Sequence, residues 1–115
     1  MWVNLFQGLL PGVGLHYTMF QMSVMNLSSE DQKKRWMPDI RNHKILGCYA
    51  QTELGHGSNV AGLETTATLD KATDEFVIHS PTVTSTKFWP GDLGRNTTHA
   101  IVFARLIIAG KDYGV

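Results

Sequence analysis

Apolar residues in the first third of the chain follow a helical arrangement. Between residues 15 and 27 they fall on every face of a helix, namely Leu15, Tyr17, Met19, Phe20, Met22, Val24, Met25 and Leu27. A helix that is apolar all round is normally buried. We therefore predict a helix over 15–27 that packs inside a larger helical domain or against another subunit. Before it, residues 1–11 are apolar without a clear period, and Pro11-Gly12 predicts a turn.

A second helix is predicted directly afterwards, because Ser29 and Gln32 have the spacing of a capping box. The two residues after Ser29 are acidic and suit the positive end of the helix dipole. The ring of Pro38 disfavours helical geometry at the residue before it. We therefore predict that this helix ends before Pro38 and that residues 39–44 form a polar connector.

From Ile45 onwards the pattern becomes that of β-strands, with β-branched runs and alternating polarity. The predicted strands are residues 45–49, 64–69, 75–79, 82–87 and 99–108. The second and third of them form a hairpin around a polar turn. Helices followed by antiparallel strands indicate an α+β chain. The change of pattern predicts a domain boundary near Ile45, with residues 1–44 in a helical domain and residues 45–115 in a β-domain.

Composition excludes several classes of function. The chain has 10 basic and 10 acidic residues, so no surplus charge favours nucleic acid or an anionic membrane surface as a partner. No apolar run is long enough to span a membrane, and the first residues lack the basic start of a signal peptide. The single cysteine, Cys48, suits a reducing compartment. Five histidines have no spacing that would predict a zinc site, so we expect no metal.

The most informative stretch is residues 47–62, where a short predicted strand opens into a loop with three glycines. Glycines let a backbone approach a flat ligand closely, and Thr52 and Ser58 offer hydroxyl groups for hydrogen bonds. This pattern predicts a ligand-binding loop. Glu53 has two interpretations, a catalytic acid or a carboxylate that anchors the turn, and we favour the anchor.

A second segment, residues 87–94, sets Trp89 beside a Pro-Gly bend. The indole ring can lie against a planar ligand, with Gly91 leaving space for it. Alternatively, the ring can plug the underside of a turn. Because buried tryptophan is common, physical reasoning alone favours the plug.

Both segments resemble the acyl-CoA dehydrogenase and oxidase superfamily. Gln51-Thr52-Glu53 followed by Gly55-x-Gly57-Ser58-x-x-x-Gly62 is similar to the signature after the first strand of the middle domain in that family. Residues 48–57 are similar to the peroxisomal acyl-CoA oxidase branch in particular. Dehydrogenases usually carry threonine where this chain has Gly91, and the Pro-Gly version matches the oxidases. The resemblance is strong over residues 45–115 and weak before Ser28.

The resemblance implies a fold, a cofactor and a reaction. The chain would be an internal fragment with the end of an N-terminal α-helical domain and the first part of an antiparallel, β-barrel-like middle domain. FAD is the implied cofactor. A fatty acyl-CoA is oxidised to trans-2-enoyl-CoA by loss of a proton from Cα and a hydride from Cβ, and O2 then reoxidises the flavin to give H2O2. A peroxisomal location and a homodimeric parent protein are also implied.

Four residues carry the implied site. Thr52, Trp89 and Gly91 match positions beside the flavin, with Gly91 leaving room for oxygen, and Ser58 matches a serine that contacts the CoA portion of the substrate. The catalytic base of the family comes from a C-terminal helical domain, so we name none here and expect the 115 residues alone to be inactive. Two alternatives stay open: an acyl-CoA dehydrogenase coupled to an electron-transfer protein, and a truncated remnant without catalytic activity.

Overall fold

The computed structural model describes residues 13–115, so the apolar start and the turn predicted at Pro11-Gly12 lie outside the described residues. The chain divides into two compact units. Unit 1 comprises the residues up to Tyr49 together with Pro90–Ile101. Unit 2 comprises Ala50–Trp89 and Val102–Val115. Each unit is described by itself below.

The described part of unit 1 opens with a helical segment, which confirms the predicted helix. It consists of α1 (Val13–Leu15), a π-helical stretch (His16–Gln21) and α2 (Met22–Leu27). Among its described side chains, only His16, Phe20 and Val24 are buried. The side chains of Tyr17, Met19, Met22, Met25 and Leu27 are 37–75 % exposed. The burial expected on every face is therefore not provided by the described residues.

The second helix, α3 (Glu30–Arg41), begins as predicted. The backbone N–H of Gln32 donates to Ser29 Oγ at 3.3 Å, and the backbone N–H of Ser29 donates to Gln32 Oε1 at 2.9 Å. However, the helix continues through Pro38, so the predicted end and the first half of the predicted connector are wrong. Met37 and Ile40 are only 7 % and 1 % exposed. Burying both side chains offsets the cost of about 3 kcal/mol for proline inside a helix.

An apolar core holds unit 1 together. It consists of the buried side chains of Phe20, Val24, Met37, Ile40 and Ile45, with Trp36 and Ile101 packed against them. The buried side chains come from both helical segments and from the approach to the first strand, whereas Ile101 comes from a later strand. Because apolar burial is the main stabilising term in folding, this cluster accounts for the association of the two helices.

Six short strands follow the helices. They are β1 (Gly47–Ala50), β2 (Thr66–Asp70), β3 (Glu75–His79), β4 (His99–Val102), β5 (Arg105–Ile108) and β6 (Lys111–Asp112). β1 pairs with β4 in a two-stranded sheet, and the others form a four-stranded sheet in the order β3-β2-β5-β6. β2 and β3 are antiparallel, which confirms the predicted hairpin. β2 and β5 are parallel, so the expectation of antiparallel strands throughout is wrong, and the described residues form no closed barrel.

Residues 82–87 do not form the predicted strand. The N–H of Thr82 donates to Ser85 Oγ at 2.9 Å, the N–H of Ser85 donates to Thr82 Oγ1 at 3.1 Å, and Ser85 Oγ–H donates to the Thr82 carbonyl at 2.7 Å. These local bonds satisfy the backbone groups that a strand would need, which is how serine and threonine favour turns. Within this stretch only Lys87 forms a β-bridge, and its partner is Glu53.

The long strand predicted over 99–108 is split into β4 and β5. The N–H of Phe103 donates to the carbonyl of Ala50 at 3.1 Å, whereas the N–H of Arg105 donates to the carbonyl of Thr65 at 2.8 Å. Residues 99–108 therefore change their backbone hydrogen-bonding partner between Phe103 and Arg105. A continuous hydrophobic pattern in the sequence does not indicate such a change. Among the described residues, no helix is long and apolar enough to cross a membrane.

Candidate functional site

The loop that follows β1, residues 51–62, is here called the signature loop. Its first half is fixed by backbone hydrogen bonds to residues 84–88: Leu54 N–H to Thr86 O at 3.0 Å, Gly55 N–H to Thr84 O at 2.9 Å, and Phe88 N–H to Thr52 O at 2.9 Å. A Cβ on Gly55 would lie 2.8 Å from Cβ of Thr84, so only glycine allows this close approach. Two turn-rich segments thus hold each other in place.

Glu53 anchors the signature loop from inside. Its side chain is fully buried. It accepts hydrogen bonds from the N–H of Glu64 at 2.8 Å, the N–H of Thr65 at 2.9 Å, the hydroxyl of Thr65 at 2.5 Å and Lys87 Nζ at 3.1 Å. Of the two interpretations of Glu53, these contacts support the anchor. An ionised carboxylate can only accept hydrogen bonds, and the donors in this case come from residues outside the signature loop.

The hydrogen bonds also decide the charge of Glu53. Burial by itself raises the pKa of this carboxyl group, but the donors on Glu64, Thr65 and Lys87 together lower it to about 2. Hydrogen bonds to the charged form stabilise that form. Glu53 is therefore a permanent anion at neutral pH, and it is unsuited to act as an acid or a base there.

Lys87 completes this buried network. Its side chain is 11 % exposed, and its ammonium group donates to the carbonyl of Gln51 at 3.1 Å, to Glu53 Oε1 at 3.1 Å and to the carbonyl of Phe103 at 2.7 Å. Sequence reasoning treated this lysine only as the start of the second segment. The sequence feature that could have indicated its role is that it is a lone lysine at the end of a polar, β-branched run.

Thr52 is half-buried between Gln51 and Glu53. Its carbonyl accepts the N–H of Phe88, but within the part of the chain that the structure describes, its hydroxyl makes no hydrogen bond. A hydroxyl group can donate one hydrogen bond and accept others. Thr52 therefore has a polar group available beside the residues that lead to Trp89.

Trp89 projects from unit 2 and is 76 % exposed. Its backbone has φ +42°, a left-handed conformation that is rare for a bulky residue. The neighbouring ring of Phe88 is 53 % exposed, and the two ring centroids are 6.3 Å apart. The alternative of a buried aromatic plug is therefore wrong for these residues. An exposed indole face held by a strained backbone is instead available to a planar ligand.

Gly91 belongs to unit 1, where its backbone has φ +79°. A Cβ at this position would lie 2.2 Å from Cδ1 of Leu15. Both observations require glycine for reasons internal to unit 1. The expected role of Gly91 in leaving room for oxygen is thus not needed to explain the residue.

Ser58 lies on the exposed part of the signature loop. Its carbonyl accepts the N–H of Val60 at 3.0 Å, just before the short 3-10 turn Val60–Gly62. Arg105 fixes the far side of that turn, because its Nη1 donates to the carbonyl of Ala61 at 2.9 Å. The structure therefore brings Thr52 next to the residues leading to Trp89, and it leaves Ser58 at a separate, solvent-facing position of the same loop.

Glu53, His56 and Glu64 have potential metal-ligand atoms within 4.8 Å of one another. However, the Glu53 carboxylate is already occupied by its hydrogen-bond donors. His56 Nε2 pairs with Glu64 Oε2 at 3.2 Å. A metal ion would have to displace the ammonium group of Lys87 to reach the buried carboxylate. We therefore assign no metal to this cluster.

Comparison with known proteins relates these features to a family. A family model for the acyl-coenzyme A oxidase N-terminal region matches residues 3–46. The chain is 59 % identical over 103 residues to peroxisomal acyl-coenzyme A oxidase 1 of Arabidopsis thaliana, an alignment that covers 90 % of this chain and 16 % of that protein. The chain belongs to the acyl-CoA oxidase family.

Solved acyl-CoA oxidase structures agree. An acyl-CoA oxidase from tomato matches with a TM-score of 0.87 and 59 % identity over 90 % of this chain and 16 % of the tomato chain. Acyl-CoA oxidase-2 from Caenorhabditis elegans, bound with FAD, ascaroside-CoA and ATP, matches with a TM-score of 0.85 and 48 % identity over 90 % of this chain and 16 % of that chain. The mixed helix and sheet content is thus that of acyl-CoA oxidases.

Two facts qualify the match with the acyl-CoA oxidase family. The chain spans about 16 % of the length of these relatives. The family model matches residues 3–46, so the assessment that the resemblance is weak before Ser28 is wrong. Helical segments carry few glycine-rich motifs, and their family identity lies in distributed core positions that a single sequence does not disclose.

Proposed function

We propose that this chain is part of an FAD-dependent acyl-CoA oxidase that converts fatty acyl-CoA to trans-2-enoyl-CoA with O2 and releases H2O2. The observation that carries the proposal is the pairing of an exposed Trp89 face with an unpaired Thr52 hydroxyl on one hydrogen-bonded framework. An aromatic face can cover a planar ring system such as that of flavin, and a nearby hydroxyl can form a hydrogen bond to the edge of the ring.

The larger context forms part of the same proposal. Residues 1–44 would end an N-terminal helical domain, and residues 45–115 would begin the middle β-domain. We place the parent protein in the peroxisome and expect a homodimer. The support for the location is that the Arabidopsis relative is named a peroxisomal enzyme.

In this proposal each residue of the chain has a limited task. The Thr52 hydroxyl would donate a hydrogen bond to the flavin ring, and Trp89 would cover one face of that ring and exclude water. Gly91 allows the backbone turn after Trp89, and Ser58 contacts the CoA portion of the substrate. The chemistry that bound FAD would supply is acceptance of the hydride and transfer of electrons to O2. The residue that removes the α-proton is expected outside these residues.

Thr52 allows a direct test in the longer protein that contains this chain. Thr52→Val removes the hydroxyl at nearly constant volume, and we expect FAD binding to weaken by about 1–2 kcal/mol, the range for one lost hydrogen bond. The measurement is titration of the apoprotein with FAD, followed by flavin fluorescence. Thr68→Val is the control, because Thr68 lies exposed on β2. Equal FAD affinity for both variants and the wild type would contradict the role of Thr52.

Two other functions make different predictions for the same protein. An acyl-CoA dehydrogenase coupled to an electron-transfer protein would be reduced by acyl-CoA but reoxidised slowly by O2. A non-catalytic remnant would bind no FAD. The oxidase proposal requires rapid reoxidation of the reduced flavin by air, which stopped-flow absorbance measures separately from its reduction.

A further inference from the structure

Lys87 lies at the centre of the contacts that connect the signature loop to Trp89. Its ammonium group has three N–H donors, and it meets three acceptors, the carbonyls of Gln51 and Phe103 and Oε1 of Glu53, at 2.7–3.1 Å. All of its donors are therefore used inside the protein. A saturated ammonium group with 11 % side-chain exposure is not available to bind a ligand directly.

The residues that Lys87 contacts stand next to the proposed flavin contacts. The carbonyl of Gln51 directly precedes Thr52, and Lys87 itself lies two residues before Trp89. The N–H of Phe88, between them, donates to the carbonyl of Thr52 at 2.9 Å. A change in the position of the ammonium group would therefore shift the backbone on both sides of the site.

Burying this lysine is costly, and simple packing does not explain the cost. Removing an ammonium group from water has a penalty of several kcal/mol, which an apolar side chain of similar volume avoids. Glu53 compensates the charge, since its buried carboxylate lies 3.1 Å from Nζ. The carbonyls of Gln51 and Phe103, however, gain fixed positions that no apolar residue would give them. Such directional contacts specify geometry more than they add stability.

We propose that Lys87 is a positioning residue for FAD: with Glu53 as its counterion, it holds the backbone of Thr52 and the approach to Trp89 at the separation that the flavin ring requires. This rests on the proposed function, since it assumes that Thr52 and Trp89 contact the flavin. Lys87 touches neither cofactor nor substrate in this proposal. It acts through the carbonyl of Gln51 and the chain leading to Phe88.

The test uses the full-length protein and two substitutions at one position. Lys87→Met retains length but removes the charge and all three hydrogen bonds. Lys87→Arg retains the charge beside Glu53, but its planar guanidinium group cannot direct one nitrogen atom at three separately placed acceptors. The control variants are Lys34→Met, which removes an exposed lysine, and Ile40→Val, which weakens the apolar core of unit 1.

We expect the two substitutions to separate stability from cofactor binding. Lys87→Met should lower the melting temperature and raise the Kd of the apoprotein for FAD at least about 10-fold, which corresponds to about 1.4 kcal/mol. Lys87→Arg should melt near the wild type and still raise that Kd several-fold, with a changed flavin absorption spectrum. Ile40→Val should lower the melting temperature without changing the Kd, and Lys34→Met should change neither.

Each outcome has a distinct meaning. An unchanged Kd and spectrum in Lys87→Arg, with only the melting temperature changed in Lys87→Met, would overturn the positioning role and leave Lys87 as a structural residue. If Lys87→Met does not fold, Lys87→Arg decides by the same criterion. If the wild-type protein itself binds no FAD, the proposed function fails, and the inference about Lys87 fails with it.

Discussion

The two units of this chain are stabilised at their centres by different kinds of contact. Unit 1 is built on buried apolar side chains, among which Ile40 is 1 % exposed. In unit 2 three of the buried residues are polar, Glu53, Thr65 and Ser85, with exposures of 2 %, 1 % and 0 %, and they lie in the same unit as the buried apolar residues Ala50 and Leu63. Apolar contacts are non-directional, whereas each hydrogen bond fixes a donor and an acceptor. Unit 2 therefore gains defined loop positions, and the residues proposed to bind the flavin ring, Thr52 and Trp89, lie in it.

The largest expected effect tests this difference directly. Glu53→Leu fills the space of the carboxylate but leaves Lys87 buried without its counterion and removes the acceptor for the N–H groups of Glu64 and Thr65. Breaking one side of a buried ion pair costs about 3–5 kcal/mol. We expect a loss of this size, measured as faster hydrogen–deuterium exchange in peptides that cover residues 50–89 of the full-length protein.

The matched change in unit 1 is Ile40→Val, which removes one methylene group from the apolar core. Its expected cost is about 0.5–1.5 kcal/mol. A smaller loss for Glu53→Leu than for Ile40→Val would mean that the polar network of unit 2 is dispensable. The polar contacts of unit 2 would then contribute no more to stability than the apolar contacts of unit 1.

Acid should affect the two units in different pH ranges. The pKa of Glu53 is lowered from 4.5 to about 2, so its contribution to stability is complete above pH 4.5 and is lost as the pH falls toward 2. That shift corresponds to about 3 kcal/mol for this buried group.

In unit 1, burial lowers the pKa of His16 below 6.5, despite an opposing contribution from the backbone of Ile40. Its contribution is therefore complete above pH 6.5 and declines below that pH.

The geometry of His16 gives the same direction. Its Nδ1 accepts the N–H of Gly47 at 3.1 Å, a bond that protonation of Nδ1 would break. We expect hydrogen exchange in residues 13–49 to accelerate as the pH falls below 6.5, and exchange in residues 50–89 only below pH 4.5, after correction for the intrinsic rates. His16→Leu should remove the first of these changes, whereas His79→Gln, on the exposed strand β3, should not. A common midpoint for both regions would contradict separate causes.

The sequence predicted much more of unit 1 and of the hairpin than of the candidate site. The capping box at Ser29 and the two short strand patterns around a polar turn are local signals, and the predicted helix start and hairpin are both confirmed. The end of α3 was missed because the burial of Met37 and Ile40 is a tertiary effect. The change of partner between β4 and β5 is also non-local, since a strand carries no signal for which backbone it meets.

In the candidate site the residue types were predictable, but their surroundings were not. Glu53 was expected as an anchor, and its contacts support that role. Trp89 is 76 % exposed and has a positive φ, and the Pro-Gly sequence after it predicts neither property. Lys87 was missed because its acceptors come from Gln51 and Phe103, which are 36 and 16 residues away in the chain. Polar networks of this kind are assembled only by the fold.

The smallest expected difference between two variants, about 1 kcal/mol, concerns two glycines of unit 1. Gly91 and Gly94 both belong to unit 1 and have nearly the same backbone, with φ +79° and +80°. A Cβ on Gly94 would meet no atom within 4 Å, whereas a Cβ on Gly91 would lie 2.2 Å from Cδ1 of Leu15. Gly94→Ala should cost about 1 kcal/mol, from the left-handed conformation alone. Gly91→Ala should cost about 1 kcal/mol more, because Leu15 must move.

Hydrogen exchange in residues 90–101 of the full-length protein measures both costs. A different pair, Gly91→Ala and Gly91→Thr, tests the idea that Gly91 makes room for oxygen. If the backbone sets the requirement, Gly91→Ala and Gly91→Thr should slow reduction by acyl-CoA and reoxidation by O2 together. A loss confined to reoxidation, growing from alanine to threonine, would instead support an oxygen path. Equal stability losses for Gly91→Ala and Gly94→Ala would contradict this expectation. They would show that the side chain of Leu15 moves aside without an energetic cost.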